Sequence, residues 1–330
     1  MINFAVIGTS WITTSFIESA QSTGLWNLRA VYSRSETTAQ SFASAHNVTE
    51  THTSLATLAA SPNITTVYIA SVNSAHYDQA ATLLRGGKHV ILEKPATSTT
   101  GEFASLCEIA RANKTMLLEA FRHMHEANFH ALRAALPKLG PVYGASLNYA
   151  SYSSRYNAVL AGQRPNIFNL DLSGGALVDL AVYPISAAVA LFGKPVAQSY
   201  APVIVATGAD GGGFVTLRYD GFAVCINASK IYSSAAPSEV YGERGSLVLN
   251  AVTDIQSVEF VDAKTKAREQ LAVGPAKELN LSEEAREFAR ILEEGDWEAQ
   301  ERLEGVSRAV IAITEDLRRQ NGLTFAVERE

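Results

Sequence analysis

Cysteine is scarce in this chain, since Cys107 and Cys225 are the only two among 330 residues. They lie far apart and form no CxxC pair, so the sequence offers neither a disulfide framework nor a thiolate metal site. Free cysteine is among the residue types most often found in protein cores, and we expect both to be buried.

An excess of charge of one sign is also missing. The 27 Lys and Arg residues nearly balance the 33 Asp and Glu residues, which leaves a net charge of −6. The basic residues are scattered and form no stripe that could follow a phosphate backbone. We therefore expect no nucleic-acid partner.

The chain also lacks a long, uninterrupted apolar run. The most apolar stretch, "ALVDLAVYPISAAVALFG", contains Asp179 and Pro184, which argues against a membrane span. The first residues, "MINFAVIGTS", have no basic stretch before the apolar run and no small-residue cleavage pattern. The sequence thus predicts a cytoplasmic protein without a membrane partner.

Metal-ligand spacing is absent too. The histidines of "FRHMHEANFH" are His123, His125 and His130, and no acidic or thiolate partner stands at zinc-like spacing from them. We expect no metal site.

The chain is longer than a single hydrophobic core usually grows, so we expect two domains. Residues 1–120 alternate short apolar runs with helical stretches, which is the pattern of βαβ units. The candidate strands are "NFAVIG", "LRAVYS", "TTVYIAS", "HVILEK" and "TMLLEA". Because these runs are apolar on both faces, they predict an α/β domain with a doubly wound parallel sheet of the Rossmann type.

Residues 121–330 have a different pattern, in which strands follow one another without helices from about Pro141. The Asp-Gly pair in "RYDGFAV" indicates a hairpin. We assign 121–330 to a second, substrate-binding α/β domain with an open, mostly antiparallel sheet. An open sheet with one uncovered face usually finds a partner, so we expect a homodimer or homotetramer formed through it.

The first strand runs into a turn that lacks two glycines of a dinucleotide-binding fingerprint. Gly8 is present, but Ser10 and Thr13 stand where the second and third glycines are expected. The amides at a helix N-terminus can bind a phosphate, whereas Ser10 or Thr13 could instead cap an ordinary helix. The candidate pyrophosphate-binding residues are Gly8, Thr9, Ser10, Trp11 and Ile12.

The second strand ends in "AVYSRS", where a fingerprint selective for NAD has an acidic residue. Ser33 and Arg34 occupy that place, and a guanidinium pairs well with a 2′-phosphate. This favours NADP over NAD, although NAD stays possible. The alternative is that Arg34 is a solvated loop residue.

"GGKHVILEKPA" places Glu93 and Lys94 at the end of a buried parallel strand, where α/β sheets bind their ligands. Lys94 could donate or accept a proton if its surroundings lower its pKa. The alternative is a surface lysine paired with Glu93.

Ser71, Asn73 and His76, in "SVNSAHYDQA", follow the third candidate strand. They could line the cofactor cleft or cap the next helix.

In "SGGALVDLAVYPI", Asp179 and Tyr183 are four residues apart and would share one face of a helix. A buried phenol beside a lysine is a plausible pair for proton transfer, and a carboxylate one turn away could orient either group. The alternative is a core tyrosine whose hydroxyl bonds to the backbone. Pro184 predicts a kink at Tyr183. Specificity would depend on loops such as "SYSSRYNAVLAGQRPN".

Three motifs, "SVNSAHYDQA", "GKHVILEKP" and "GGALVDLAVYPI", occur in this order between residues 71 and 185. Together they resemble the Gfo/Idh/MocA family of NAD(P)-dependent oxidoreductases. The resemblance implies an N-terminal Rossmann domain, a C-terminal domain with an open sheet, and catalytic roles for Lys94, Asp179 and Tyr183. Tyrosine at 183 resembles the dihydrodiol dehydrogenase and glucose-fructose oxidoreductase branch, whose members mostly use NADP(H).

We therefore expect reversible hydride transfer between NADP(H) and a hydroxyl or carbonyl carbon of a sugar, polyol or diol. Tyr183 and Lys94 would share the proton transfer, and Asp179 would orient the substrate or the lysine. The alternative is a regulatory protein on the same fold that senses a cofactor or sugar without catalysis.

Overall fold

Six short strands form one parallel sheet in the computed structural model, which describes residues 1–274 and 277–329. In chain order they are β1 (Ile2–Ile7), β2 (Trp26–Tyr32), β3 (Glu50–His52), β4 (Thr66–Ile69), β5 (His89–Leu92) and β6 (Leu117–Glu119). Their order in the sheet is β3-β2-β1-β4-β5-β6. The chain builds outward from β1 on one side and then returns to β4 on the other, so β1 and β4 flank the switch point of a doubly wound sheet. The predicted fold is confirmed.

Helices alternate with these strands. They are α1 (Trp11–Ser22), α2 (Glu36–Ala45), α3 (Leu55–Ala60), α4 (His76–Arg85) and α5 (Thr100–Ala112). Alternate side chains of a strand point to opposite faces. Accordingly, Phe4 and Val6 join one buried apolar cluster and Ala5 and Ile7 join another, which explains why β1 is apolar throughout.

Two helices from the C-terminal part of the chain are α9 (Ser282–Glu294) and α10 (Trp297–Gln320). The chain divides into two compact units, and the first contains Leu279–Ile311 together with Met1–Ala120. The sequence pattern assigns all of 121–330 to one domain. Residues 279–311 belong to the first unit instead, because Phe288 of α9 lies in the same core cluster as Trp26. The indole Nε1 of Trp26 also donates a 2.9 Å hydrogen bond to Ala285 O.

The second unit comprises Phe121–Glu278 and Ala312–Glu330 and contains an eight-stranded sheet. Its strands are β7 (Val142–Ala150), β8 (Ala197–Ile204), β9 (Asp210–Arg218), β10 (Ala223–Ser229), β11 (Ser238–Gly242), β12 (Gly245–Leu249), β13 (Ser257–Asp262) and β14 (Arg268–Val273). Their order is β14-β13-β12-β11-β7-β10-β9-β8. β7 and β10 run parallel and the other neighbours are antiparallel, as the sequence predicted.

The remaining helices are α6 (Ala127–Ala135), α7 (Tyr156–Leu160) and α8 (Val182–Phe192). Leu170–Phe192 is long and apolar enough to cross a membrane by composition, but 72 % of its most apolar window is buried inside the protein, which is typical of a core helix. The sequence predicts a kink at Tyr183. The irregularity lies earlier in the chain, where Leu177–Ala181 forms a π-helical turn before α8 begins.

One prediction about cysteine is wrong. Cys107 is buried, but Cys225 is exposed. Because side chains alternate along a strand, the burial of Val224 and Ile226 in β10 turns Cys225 to the opposite face.

Candidate functional site

The carboxyl edge of the parallel sheet collects most of the predicted cofactor residues. The last residues of four neighbouring strands are paired in one row, which consists of Tyr32, Ile7, Ile69 and Leu92. Gly8, Ser33 and Glu93 each follow one of these paired residues, so the register places them along one edge of the sheet. In open α/β sheets this edge, at the switch point, is where ligands bind.

The turn after β1 requires a glycine at position 8. Gly8 has a φ of +102°, and a Cβ there would collide with the carbonyl group of Ala70, which follows β4. Both the backbone conformation and the close approach therefore exclude a larger residue. The structure thus explains why position 8 needs glycine although the second and third glycines of the fingerprint are absent.

The N-terminus of α1 has no side-chain cap. Ser10 occupies the N-cap position, but its side chain makes no capping hydrogen bond. Thr13 is buried, and its Oγ1 finds no hydrogen-bond partner among the described residues. Thr9, Ser10 and Trp11 are exposed and Ile12 is half-buried. This turn therefore fits a pyrophosphate better than it fits the capping alternative, because the first amides of a helix need an acceptor from elsewhere.

Ser33 and Arg34 form the connection from β2 to α2. The Ser33 amide donates to His52 O over 3.1 Å, and its Oγ accepts from the Ser35 amide at 3.3 Å. Arg34 is exposed, and Ser35 caps α2 by accepting from Thr38 N. The guanidinium of Arg34 is thus placed on an open loop next to the edge of the sheet.

The residues after β4 differ in their exposure. Ser71 is half-buried and donates a 2.7 Å hydrogen bond to Gln79 Oε1, and Asn73 begins a short 3-10 turn. His76, by contrast, is fully buried as the first residue of α4. Its Nδ1 donates to Pro95 O over 3.0 Å, so its side chain connects this segment to the loop that carries Lys94. Burial lowers the pKa of His76, which keeps the imidazole neutral.

Glu93 and Lys94 follow β5, and the main chain of Glu93 is held by a 2.9 Å bond from its amide to Ile69 O. Glu93 Oε1 accepts a 2.6 Å hydrogen bond from the Tyr68 hydroxyl, and Oε2 accepts one from the Lys94 amide at 3.2 Å. The Tyr68 ring is itself stacked on Phe16, with ring centroids 3.9 Å apart. The backbone that carries Lys94 is therefore anchored in the core.

Sequence reasoning missed Glu119, the last residue of β6. Its Oε1 accepts a 2.7 Å hydrogen bond from the amide of Ala96, two residues after Lys94. Burial, and to a lesser extent the charge of Glu93, raises the pKa of Glu119 to about 7 against the opposing hydrogen bonds from Ser307 and Ala96. The available signal was an acidic residue inside the apolar run "TMLLEAF".

In the second unit, Asp179 lies on the π-helical turn. Buried Asp210 holds the start of this turn, because its Oδ2 accepts a 2.6 Å hydrogen bond from Leu177 N. Gly175 precedes it at a φ of +148°, where a Cβ would collide with the Asp210 carboxylate. π-helical turns of this kind are frequent at functional sites.

Asp179 is paired with Lys230, which sequence reasoning also missed. Asp179 Oδ2 lies 2.7 Å from Lys230 Nζ, and the lysine side chain is only 2 % exposed. The ammonium also donates to Ile167 O over 2.8 Å and lies 4.7 Å from the centroid of the Phe168 ring. The available signal was the lysine that directly follows the half-apolar run "FAVCINAS".

Tyr183 is buried in an aromatic cluster. The rings of His123 and Tyr149 each meet its ring edge-on at centroid distances of 5.3 Å. The Arg122 guanidinium lies 5.9 Å from the Tyr183 ring centroid and forms two hydrogen bonds of 2.7 and 2.6 Å with Asp254. The Arg122 cation therefore lies within cation–π range of the Tyr183 ring.

Of the histidines in "FRHMHEANFH", His123 belongs to this cluster, and its Nε2 is 3.2 Å from Ser186 Oγ. Within residues 1–274 and 277–329, no group of three or more His, Cys, Asp or Glu side chains could hold a metal ion.

A doubly wound parallel sheet with an uncapped helix at its switch point, followed in the chain by a mostly antiparallel sheet, is the architecture expected of a two-domain oxidoreductase with a nicotinamide cofactor. Residues 2–121 match the oxidoreductase family with an NAD-binding Rossmann fold, GFO_IDH_MocA, and residues 133–248 match the GFO/IDH/MocA C-terminal domain. The chain belongs to the GFO/IDH/MocA family of oxidoreductases. The predicted family and the interpretation as an enzyme are confirmed, and the regulatory alternative is not supported.

Several proteins are similar to this chain over nearly its whole length. The oxidoreductase YgjR of Escherichia coli is 39 % identical over 99 % of both chains. The scyllo-inositol 2-dehydrogenase (NADP(+)) IolU of Bacillus subtilis is 38 % identical over 100 % of both chains. The 3-ketoreductase KijD10 of Actinomadura kijaniata, solved with NADP and TDP-benzene, has a TM-score of 0.79 at 22 % identity over 94 % of this chain and 96 % of its own. That likeness confirms the fold.

Proposed function

We propose that this chain is an NADP(H)-dependent dehydrogenase that transfers a hydride between the cofactor and a ring carbon of a polyol such as an inositol. The observation that carries the proposal is the 38 % identity, over the full length of both chains, to an NADP-dependent scyllo-inositol 2-dehydrogenase. Sugars and diols are the wider substrate class, and NAD(H) is the alternative cofactor.

The residues of the first unit fit a dinucleotide. We assign the pyrophosphate to Gly8, Thr9, Ser10, Trp11 and Ile12, because the α1 N-terminus has no side-chain cap. We assign the 2′-phosphate to Ser33 and the exposed Arg34, which offer a hydroxyl and a planar cation without a carboxylate. Ser71, Asn73, Glu93 and Lys94 are assigned to the nicotinamide half, and buried His76 supports the Lys94 loop through Pro95.

When bound, the nicotinamide ring supplies the hydride acceptor or donor. We assign to Lys94 and Tyr183 the task of holding and moving the proton at the substrate oxygen, and to Asp179 the orientation of the substrate hydroxyl. Support for Lys94 comes from its anchored backbone at the ligand-binding edge of the sheet. Support for Tyr183 comes from the Arg122 cation near its ring.

A test begins with fluorescence titrations of NADPH and NADH, followed by oxidation assays with scyllo-inositol, xylose and simple diols. We expect tighter binding of NADPH and turnover of a polyol with NADP⁺. Lys94→Met should abolish turnover while NADPH binding persists, and Lys114→Met, which removes an exposed lysine of the same unit, should change neither. Failure of both cofactors to bind would overturn the proposal.

We also propose that the open sheet pairs two or four copies of this chain. Its strands expose Val203 of β8 and Phe214 of β9, which are 46 % and 61 % accessible. Light scattering after gel filtration measures the oligomeric state, and a monomer would contradict the proposal. The cytoplasmic location and the absence of nucleic-acid and membrane partners stay predictions.

A further inference from the structure

We propose that Lys230 is a positioning residue that joins Asp179 to both ends of the loop formed by residues 151–168, and that this connection controls the affinity for the polyol substrate. The proposal rests on the proposed function, since it takes Asp179 as the carboxylate that orients a substrate hydroxyl.

The loop leaves the end of β7 and includes α7. At its start, the amide of Ser151 donates to Ser229 O and the amide of Ser153 donates to Lys230 O, each over 2.9 Å. At its far end, the Lys230 ammonium donates to Ile167 O over 2.8 Å and lies over the ring of fully buried Phe168. One residue therefore holds the start of the loop with its main chain and the end with its side chain.

The same ammonium holds Asp179. An ammonium that is almost fully buried needs a counter-charge, because desolvation of an unpaired charge is costly. Asp179 provides that charge at 2.7 Å, and the aspartate side chain keeps 27 % of its surface exposed while the lysine keeps 2 %. The lysine is thus the inner member of the pair and the carboxylate is the outer one, as expected for a carboxylate that meets a ligand.

Lys88 of the first unit shows what a buried lysine with a structural role looks like. Its ammonium donates to two main-chain oxygens, Ser61 O and Ile64 O, and thereby ties a loop to the protein. Lys230 makes the same kind of loop contact and adds an ion pair with a site carboxylate. A change at Lys230 therefore affects the loop and Asp179 together.

The test compares Lys230→Met, Lys230→Arg, Asp179→Asn and the double variant Lys230→Met/Asp179→Asn in oxidation of scyllo-inositol with NADP⁺. Truncation of one member of a buried ion pair predicts that Lys230→Met lowers kcat/KM by about 30-fold or more. We expect KM to account for most of this loss, and Lys230→Arg to recover part of it by keeping the cation. NADPH binding should be unchanged.

The double variant separates positioning from a general loss of structure. If Lys230 acts through Asp179, the double variant loses no more activity than Asp179→Asn alone. Two controls accompany it. Lys194→Met removes an exposed lysine of the same unit, and Lys88→Met removes the structural buried lysine, so both should leave the KM for the polyol unchanged. Multiplying losses in the double variant, or a Lys230→Met KM equal to that of Lys194→Met, would overturn the proposal.

An activity-independent measurement keeps the two proposals distinguishable. Backbone hydrogen exchange in residues 151–168 should become faster in Lys230→Met and stay unchanged in Lys194→Met. If the wild-type protein oxidises no polyol but residues 151–168 exchange faster in Lys230→Met, the proposed function is wrong and the connection through Lys230 stands. Unchanged exchange in Lys230→Met refutes the connection. If Lys230→Met does not fold, Lys230→Arg with and without Asp179→Asn decides by the same criteria.

Discussion

Replacing Glu119 by glutamine should stabilise the protein at alkaline pH. The Glu119 carboxyl is buried, and its Oε1 accepts a hydrogen bond from the Ala96 amide. Glutamine has nearly the same shape and keeps a carbonyl oxygen for that amide, but it carries no charge. The substitution therefore removes the cost of burying a carboxylate and leaves the packing almost unchanged.

The size of the effect follows from the pKa of this group. Burial raises the pKa of Glu119 from 4.5 to about 7, and one pKa unit corresponds to about 1.4 kcal/mol, so the shift amounts to about 3 kcal/mol. Below pH 4.5, the Glu119 carboxyl is protonated in both the folded and the unfolded state, so burying it does not lower the free energy of unfolding. As the pH rises through the higher value the folded state loses its proton, and the free energy of unfolding decreases by that amount.

Urea unfolding of the wild type and of Glu119→Gln, at about pH 5 and about pH 8, measures this difference. We expect the variant to be more stable at the higher pH and to lose most of that advantage at the lower pH. Glu108→Gln changes an exposed glutamate of α5 and serves as the control. An advantage that is the same at both pH values, or absent at both, would refute the reasoning that burial controls this carboxyl.

Three further substitutions test other parts of the structure. Gly8→Ala forces a Cβ against Ala70 at a positive φ, so the affinity for NADPH in a fluorescence titration should fall about tenfold or more, and unchanged affinity would contradict the assigned turn. Ser10→Gly should increase that affinity, because the Ser10 side chain makes no capping bond and adds bulk near the phosphate site; a decrease would mean that its hydroxyl binds the cofactor. Arg122→Gln leaves the carboxylate of Asp254 without its bidentate partner and should lower the free energy of unfolding by about 2 kcal/mol, measured in urea; a neutral effect would show that this pair is solvated.

The local sequence pattern was enough to predict the structure where the residues that determine it lie within one short segment. The run into Gly8 predicted a strand, a sharp turn and a helix, because apolar spacing and a glycine each restrict the backbone locally. The Asp-Gly pair of "RYDGFAV" likewise predicted the hairpin between β9 and β10. Spacing also placed Asp179 and Tyr183 in one helical segment, but it could not reveal the π-helical turn, whose first amide donates to Asp210 of β9.

Partners distant in the sequence could not be predicted. Lys230 was missed because nothing near it in the chain indicates a pairing with Asp179, and Glu119 was missed because its partner is the amide of Ala96. The burial of His76 could have been predicted from its spacing in the sequence. Its spacing from Ala80 and Leu84 is that of one helix face, and all three are buried.

The return of residues 279–311 to the first unit bears on protein engineering. A chimaera that exchanges the nucleotide-binding half of this enzyme for that of a relative has to exchange two stretches of chain, Met1–Ala120 and Leu279–Ile311. A fragment that stops at residue 120 would lose the Ala285 carbonyl that accepts from Trp26 and would expose the apolar surface against which α9 packs. The second junction of such a chimaera falls within α10, so the graft must preserve the helical phase across that splice.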